Sequence, residues 1–355
     1  MKVAIVTDAW RPQTNGVVTT LMRTSDCLAA LGHEVVRMTP EGLPTIPCPS
    51  YPEIRLALFQ GRRVARWLAA ERPDALHIAT EGPLGLAARN AALRGGLRFT
   101  TSYHTQFPQY LRARYPIPEC ATYAMLRHFH GAATRTMVGT KEVRRDLKRH
   151  GFRHLVHWGR GVDTELFRPR PETRLPYPGP VLIYVGRVAV EKSIEDFCRV
   201  EAPGTKLVVG GGPALEDLRA RYPHVQFLGY RFGEELAALI ASADCFVFPS
   251  RTDTFGLVML EAMACGLPVA AYPVTGPIDV VREGQTGCLR QDLGVAIADA
   301  LKLDRAACRE QALEYRWENA TRQVLGNLVE ARRPVPAARR VEPSGRTAPE
   351  PPRGS

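Results

Sequence analysis

The stretch VFPSRTDTFGLVMLEAMACGLPV, residues 247–269, reads as one strand–loop–helix–strand unit. Phe246–Phe248 closes an apolar strand, and Pro249–Thr254 is the loop at its carboxyl end. Leu257–Cys265 carries a helical run that stops at Gly266, ahead of Pro268. Loops at the carboxyl ends of parallel strands are where open α/β sheets bind ligands. Gly256 permits close approach of the backbone, and the unpaired N–H groups of the helix's first turn suit a diphosphate. Asp253 precedes that turn and Glu261 lies eight positions further on, so a carboxylate stands on either side of it. Hydroxyls flanking a diphosphate, a sugar on one side and a ribose on the other, match such a pair.

Outward from this unit the same alternation runs through the chain. Val181–Val185, Lys206–Val209, Val225–Leu228, Cys245–Phe248 and Val269–Ala271 read as strands, each followed by a helical pattern. Lys2–Thr7, Glu34–Thr39, Ala75–Ala79, Phe99–Tyr103 and Thr136–Gly139 do the same in the first half, where the helical run Val17–Leu31 ends at Gly32. Parallel neighbours need a crossover of a dozen residues or more, so the expectation is α/β, with two doubly wound Rossmann-like domains facing a central cleft. The pattern restarts near residue 180 after a proline-rich linker. The divisions read off are 1–168, 169–314, a helix over 315–331 that crosses back to the first domain, and a tail over 332–355. That tail holds six prolines, six arginines and no aromatic residue, and is expected to be disordered.

Composition narrows the class. The chain has 355 residues, 45% hydrophobic and 23% charged, with a mean hydropathy of −0.17. No run of about 18 apolar residues occurs, which excludes a spanning helix. The apolar start is too short for a signal-peptide core, and the eight cysteines lie at least twenty residues apart with no CxxC pair. A cytoplasmic protein with reduced thiols is expected. The net charge of +11 is uneven: residues 1–170 carry +12 and residues 171–330 carry −5. A basic first half favours an anionic partner. Nucleic acid is not that partner, since no zinc module, recognition helix or aromatic-rich sheet signature is present. No GxGxxG follows a strand, which disfavours a dinucleotide dehydrogenase.

Residues 247–269 resemble the E-x7-E segment of retaining GT-B glycosyltransferases of the family-4 group, which transfer sugars from nucleotide donors. The likeness covers about residues 1–331. It includes Asn15-Gly16-Val17, the run from Ser102 to Pro108, the run from Gly161 to Pro169, Gly186-Arg187 with Lys192, and Gly210 to Pro213. The resemblance implies that Glu261 holds the ribose hydroxyls and that Asp253, where the family usually has Glu, contacts the donor sugar. It places the main chain of Phe255, Gly256 and Leu257 along the sugar and diphosphate, with Val258 beside the phosphate. Asn15 and Gly16 would let the first loop approach the donor phosphates. Arg187 and Lys192 would stabilise the dianionic leaving group, work done elsewhere by a metal on an Asp-x-Asp pair. No two aspartates here are two residues apart, so no metal and no other cofactor is expected. His104, in Tyr-His-Thr, matches the family's active-site histidine near the transferred sugar and the acceptor.

Acceptor and location are read from Arg55–Arg72. Arg62, Arg63, Arg66 and Arg72 lie beside Phe59, Trp67 and Leu68, the pattern of an interfacial helix on anionic lipid. A buried helix with a solvated basic face is the competing reading. The expected function is transfer of a hexose, mannose from GDP-mannose, to a lipid-linked or glycolipid acceptor at the inner face of the cytoplasmic membrane. The alternatives are a UDP-sugar-dependent (glucosyl, galactosyl or sulfoquinovosyl) glycolipid synthase and a catalytically inactive nucleotide-sugar-binding protein.

Overall fold

The computed structural model describes residues 1–13, 15–48, 51–115, 117–172 and 175–332. The strands are β1 (Lys2–Val6), β2 (Glu34–Met38), β3 (Ile46–Cys48), β4 (Tyr51–Leu56), β5 (Ala75–Ile78), β6 (Thr100–Tyr103), β7 (Arg135–Val138), β8 (Leu155–His157), β9 (Val181–Val185), β10 (Thr205–Val209), β11 (Gln226–Gly229), β12 (Cys245–Phe248), β13 (Val269–Ala271) and β14 (Gly287–Leu289). One parallel sheet runs β2-β1-β5-β6-β7-β8 and the other β11-β10-β9-β12-β13-β14; the second has the 3-2-1-4-5-6 order of a doubly wound fold, and the first, numbered along its own six strands, runs 2-1-3-4-5-6. β3 and β4 form a separate antiparallel pair.

Both sheets are covered on both faces, which is why their strands are continuous apolar runs. Ala4 and Val6 of β1 enter one core with Leu76 and Ile78, while Val3 and Ile5 enter another with Leu21, Leu28 and Val324. In the second sheet Val181, Ile183 and Val185 pack with Phe246 and Phe248, and Leu182 and Tyr184 pack on the opposite face with Cys245 and Val247.

Packing moves the domain boundary. The proline run suggests a break at 168/169, but Val162 and Phe167 are buried in the second core, so the chain has already crossed by Val162. It returns beside the same point: Val162 N–H donates to Tyr315 O at 3.0 Å, and a Cβ on Gly161 would lie 2.7 Å from the Trp317 Cα. The helix Trp317–Asn327 then packs on the first-domain helix Gly16–Ala30 through Val324. Gly159 N–H donates to Gln323 Oε1 at 2.8 Å, and Ala331 N–H to Asp74 O at 2.7 Å. The tail expected to be disordered lies outside the described residues beyond Arg332.

The segment Arg55–Arg72 is not one amphipathic helix. Arg55 belongs to β4 and donates to Thr45, and the helix covers only Gly61–Glu71. Arg62, Arg63 and Arg66 are exposed along it, but Trp67 packs with buried Val64 and Leu68 against the first core, so it offers no lipid-facing edge. Phe59, just before the helix, is 99% exposed. No helix among the described residues is long and apolar enough to cross a membrane.

Candidate active site

The carboxyl edges of the two sheets face each other, and the loop after β12 reaches from one to the other. Thr254 Oγ1 donates to His104 O at 2.7 Å, and Gln106 Nε2 donates to Asp253 O at 3.4 Å. Behind the loop, Gly276 (φ +96°) is so close that a Cβ would lie 3.1 Å from Asp253 O. Phe255 is buried, and Gly256 (φ +81°) begins the helix Leu257–Ala264 with no side chain capping it. Leu257 meets the start of the first-domain helix, where a Cβ on Gly16 would be 3.3 Å from Leu257 Cδ1. Two helix N-termini thus converge across the cleft, each the positive end of a dipole.

The Asn15 side chain has a structural role in the first loop. Its Oδ1 accepts from the N–H groups of Val17 and Val18, both at 3.0 Å, so the side chain caps the helix that Gly16 begins.

After β9, a short 3-10 turn Val190–Lys192 aims Lys192 at the β12 loop. Its Nζ donates to Asp253 Oδ1 at 2.5 Å and to the Tyr110 hydroxyl at 3.2 Å. Thr252 Oγ1 donates to Glu191 O at 3.0 Å and ties the loop to that turn. Burial works against the Lys192 charge, but Asp253 outweighs it, with Tyr110 and Tyr184 adding to the effect, and the ammonium is held above its usual range. Arg187 is half-buried in the same connection, its carbonyl accepting from the Tyr184 hydroxyl at 2.9 Å. Asp253 Oδ2 and Ser250 Oγ are buried without a partner among the described residues. Glu261, one turn into the helix, has its carboxyl pushed up to about 7 by burial, against the opposing charge of Arg23.

His104 is placed at the cleft, and its ring is fully engaged on the protein side. Arg160 Nη2 donates to Nδ1 at 3.0 Å; a guanidinium can only donate, so Nδ1 is the acceptor and Nε2 carries the proton. Nε2 then donates to Ser102 Oγ at 2.8 Å. Burial first and Arg160 second hold the imidazole pKa well below its ordinary value, so the ring stays neutral. As placed it has no nitrogen left for a substrate proton; what it presents to the donor loop is its main-chain carbonyl. Arg160 and Trp158, whose ring lies 4.7 Å beneath the guanidinium, were not among the expected site residues. The signal was Trp158-Gly-Arg160 directly before the Gly161–Pro169 run, but one arginine does not stand out in so arginine-rich a chain.

No three His, Cys, Asp or Glu side chains among the described residues are grouped to hold a metal ion. The membrane candidates Arg62, Arg63, Arg66 and Trp67 are on the helix Gly61–Glu71, apart from these residues.

Comparison with known proteins bears on the family and the fold. The family model described as Glycosyltransferase Family 4 matches residues 14–166, and the one described as Glycosyl transferases group 1 matches residues 179–303. A GDP-mannose-dependent alpha-mannosyltransferase of Mycobacterium tuberculosis is 32% identical over 317 residues, covering 81% of this chain and 83% of that protein. Sulfoquinovosyl transferase SQD2 of Arabidopsis thaliana is 32% identical over 342 residues, covering 84% of this chain and 67% of that protein. Among solved structures, sucrose-phosphate synthase from Thermosynechococcus elongatus superposes with a TM-score of 0.74 at 21% identity, covering 92% of this chain and 97% of that one. Anabaena Alr3699/HepE in complex with UDP and glucose gives 0.69 at 16%, covering 92% and 98%.

Proposed function

The chain belongs to the group 1 glycosyltransferases of family 4, and from that premise we propose that it moves mannose from GDP-mannose onto a lipid-linked or glycolipid acceptor, with retention at the anomeric carbon and without a metal. The observation that carries the reading is the convergence at the β12 loop. Two helix N-termini and Lys192 border the place for a diphosphate, Arg187 lies in the connection that carries Lys192, and Asp253 Oδ2 and Ser250 Oγ, unpartnered among the described residues, await hydroxyls of a donor sugar. Glu261 lies beyond the helix N-terminus, placed for the ribose.

The chemistry is a front-face substitution. The bond from the sugar's anomeric carbon to the phosphate oxygen breaks, and the bond to the acceptor oxygen forms on the same face. The acceptor's proton passes to the departing phosphate, and a nucleoside diphosphate leaves. Lys192 and Arg187 stabilise the charge that develops on that phosphate, beside the bonds that link the β12 loop to His104 and Gln106. Asp253, held by Lys192, contacts the sugar rather than attacking it. Because both His104 nitrogens are engaged, the proton route does not need this ring.

Mannose is preferred because several similar relatives carry the name GDP-mannose-dependent alpha-mannosyltransferase. A UDP-sugar donor is the second reading, favoured by the equal identity to the sulfoquinovosyl transferase and by the UDP-bound structural neighbour. Thermal-shift comparison of GDP, UDP, ADP and their sugars at equal concentration decides between them, because the stabilisation a ligand gives rises with the logarithm of its affinity. GDP and GDP-mannose should raise the Tm most. The purified chain should hydrolyse the donor slowly, and Arg187→Ala should lower that rate about 100-fold or more. Stabilisation by UDP alone removes the mannosyl reading; donor binding without turnover points to a binding protein. Unchanged turnover in a chelator is expected, and its loss would overturn the metal-free assignment.

Attachment to an anionic membrane is proposed from the exposed Arg62, Arg63 and Arg66 next to the fully exposed Phe59 ring.

A further inference from the structure

The helix Phe107–Arg114 of the first domain starts against the β12 loop of the second. Gln106, at its N-cap position, makes no capping bond, and its amide donates to Asp253 O at 3.4 Å instead. One turn on, the Tyr110 hydroxyl lies 3.2 Å from Lys192 Nζ, and the ammonium is 5.8 Å from the centre of the ring. The same ammonium is 2.5 Å from Asp253 Oδ1. A phenol of one domain and a carboxylate of the other therefore share one cation and stand side by side.

The chemistry of the cluster fixes which group donates. An ammonium can only donate, so the Tyr110 oxygen accepts from Lys192 and its own proton is not spent on that contact. Burial holds the phenol above its ordinary range against the pull of Lys192, so the group stays a hydroxyl. Asp253 has the opposite need. Its Oδ2 is buried with no partner among the described residues, a costly state for a carboxylate oxygen. An O–H donor beside an orphaned acceptor calls for one group that accepts from the first and donates to the second. A sugar hydroxyl does both, whereas the ionised oxygens of a diphosphate only accept.

We propose that Tyr110 is a sugar-binding residue of the donor site, and that one hydroxyl of the transferred sugar accepts from its O–H while donating to Asp253 Oδ2. The sugar is then gripped from both domains at a single oxygen, and the first domain takes part in choosing the donor. The assignment rests on the donor reading of the β12 loop given above.

The test uses the full chain and whichever nucleotide sugar gives the largest thermal stabilisation. Its free nucleoside diphosphate and the monodeoxy forms of the same nucleotide sugar are the other probes, with each Kd read by calorimetric titration. One deoxy donor should bind the unaltered chain about tenfold more weakly than the parent, as expected when hydrogen bonding to one hydroxyl is lost. Tyr110→Phe should weaken the parent donor by about the same factor. It should leave that one deoxy donor, and the nucleoside diphosphate, within twofold of their affinities for the unaltered chain. Tyr110→Leu should give the same pattern and stands in if the first variant fails to fold. Normal binding of the parent donor by the variant overturns the proposal. So does an equal loss for the parent and every deoxy donor. An equal loss for the nucleoside diphosphate overturns it too, because Tyr110 would then act through Lys192 and not on the sugar. If no nucleotide sugar stabilises the chain at all, the donor reading itself falls.

Discussion

The two carboxylates that bracket the β12 loop and its helix sit in unlike settings. Asp253 has an ammonium 2.5 Å away, whereas Glu261 has burial raising its carboxyl to about 7 and only the more distant charge of Arg23 opposing it. A carboxyl at 4.5 when unfolded and about 7 when folded takes up a proton on folding between those values. Stability is therefore greatest below about 4.5 and falls as pH rises to 7, by up to about 3 kcal/mol. Glu261→Gln should abolish that slope, read as denaturant midpoints at pH 5 and pH 8 that differ less than in the unsubstituted chain. An identical slope in both proteins would show that Glu261 does not titrate there. Lys192→Met leaves the Asp253 carboxylate, one of whose oxygens already lacks a partner, without its counter-charge. Turnover should fall about 100- to 1000-fold, and the Tm should fall with it, since breaking a largely buried pair strands the remaining charge. A normal Tm with normal kcat in this variant would remove Lys192 from the mechanism. At this scale Asp253 and Glu261 stand out in the sequence by their spacing, and Arg187 and Lys192 by the resemblance of the segment that holds them. The sequence hid Arg160, whose meaning depends on meeting a histidine 56 residues away.

Elements explain how those side chains are aimed. The first-domain helix Gly16–Ala30 begins at the cleft because Asn15 caps it, so Asn15→Ala should cost about 1 kcal/mol of stability and weaken donor binding through the frayed turn at Gly16. Calorimetric titration of the nucleoside diphosphate checks this; intact affinity in a destabilised variant would restrict Asn15 to the fold. Strand positions were legible wherever a run of four or five apolar residues is buried on both faces, as in β1, β9 and β12. β8 and β14, three residues each, carry too little pattern to be seen alone, and the β3–β4 pair is interrupted by prolines. The Arg55–Arg72 reading failed for a related reason. Helical periodicity marks a buried stripe at Val64 and Leu68, but whether Trp67 joins that stripe or faces outward is decided by the neighbouring core.

For the whole molecule, the basic first half and the acidic second half are a ground for the proposed contact of one domain with an anionic surface. Phe59→Ser combined with Arg62→Glu and Arg63→Glu should abolish co-sedimentation with phosphatidylglycerol vesicles, and added salt should weaken binding of the unaltered chain. Vesicle binding that ignores both the substitutions and salt would place the contact elsewhere. The two chain crossings lie side by side at Val162 and Tyr315.

What the amino-acid order determined by itself is local: where apolar runs make strands, where glycine and proline end helices, and which loop bears the paired carboxylates. These follow from interactions within a few residues and from whether both faces of a strand are apolar. Only the tertiary structure decided the rest. The His104 tautomer, the Lys192–Asp253 contact with Tyr110 and the crossing at Val162 each require residues from distant strands to meet. Such meetings are set by the packing of two sheets and the helices between them, which no periodicity along the chain records.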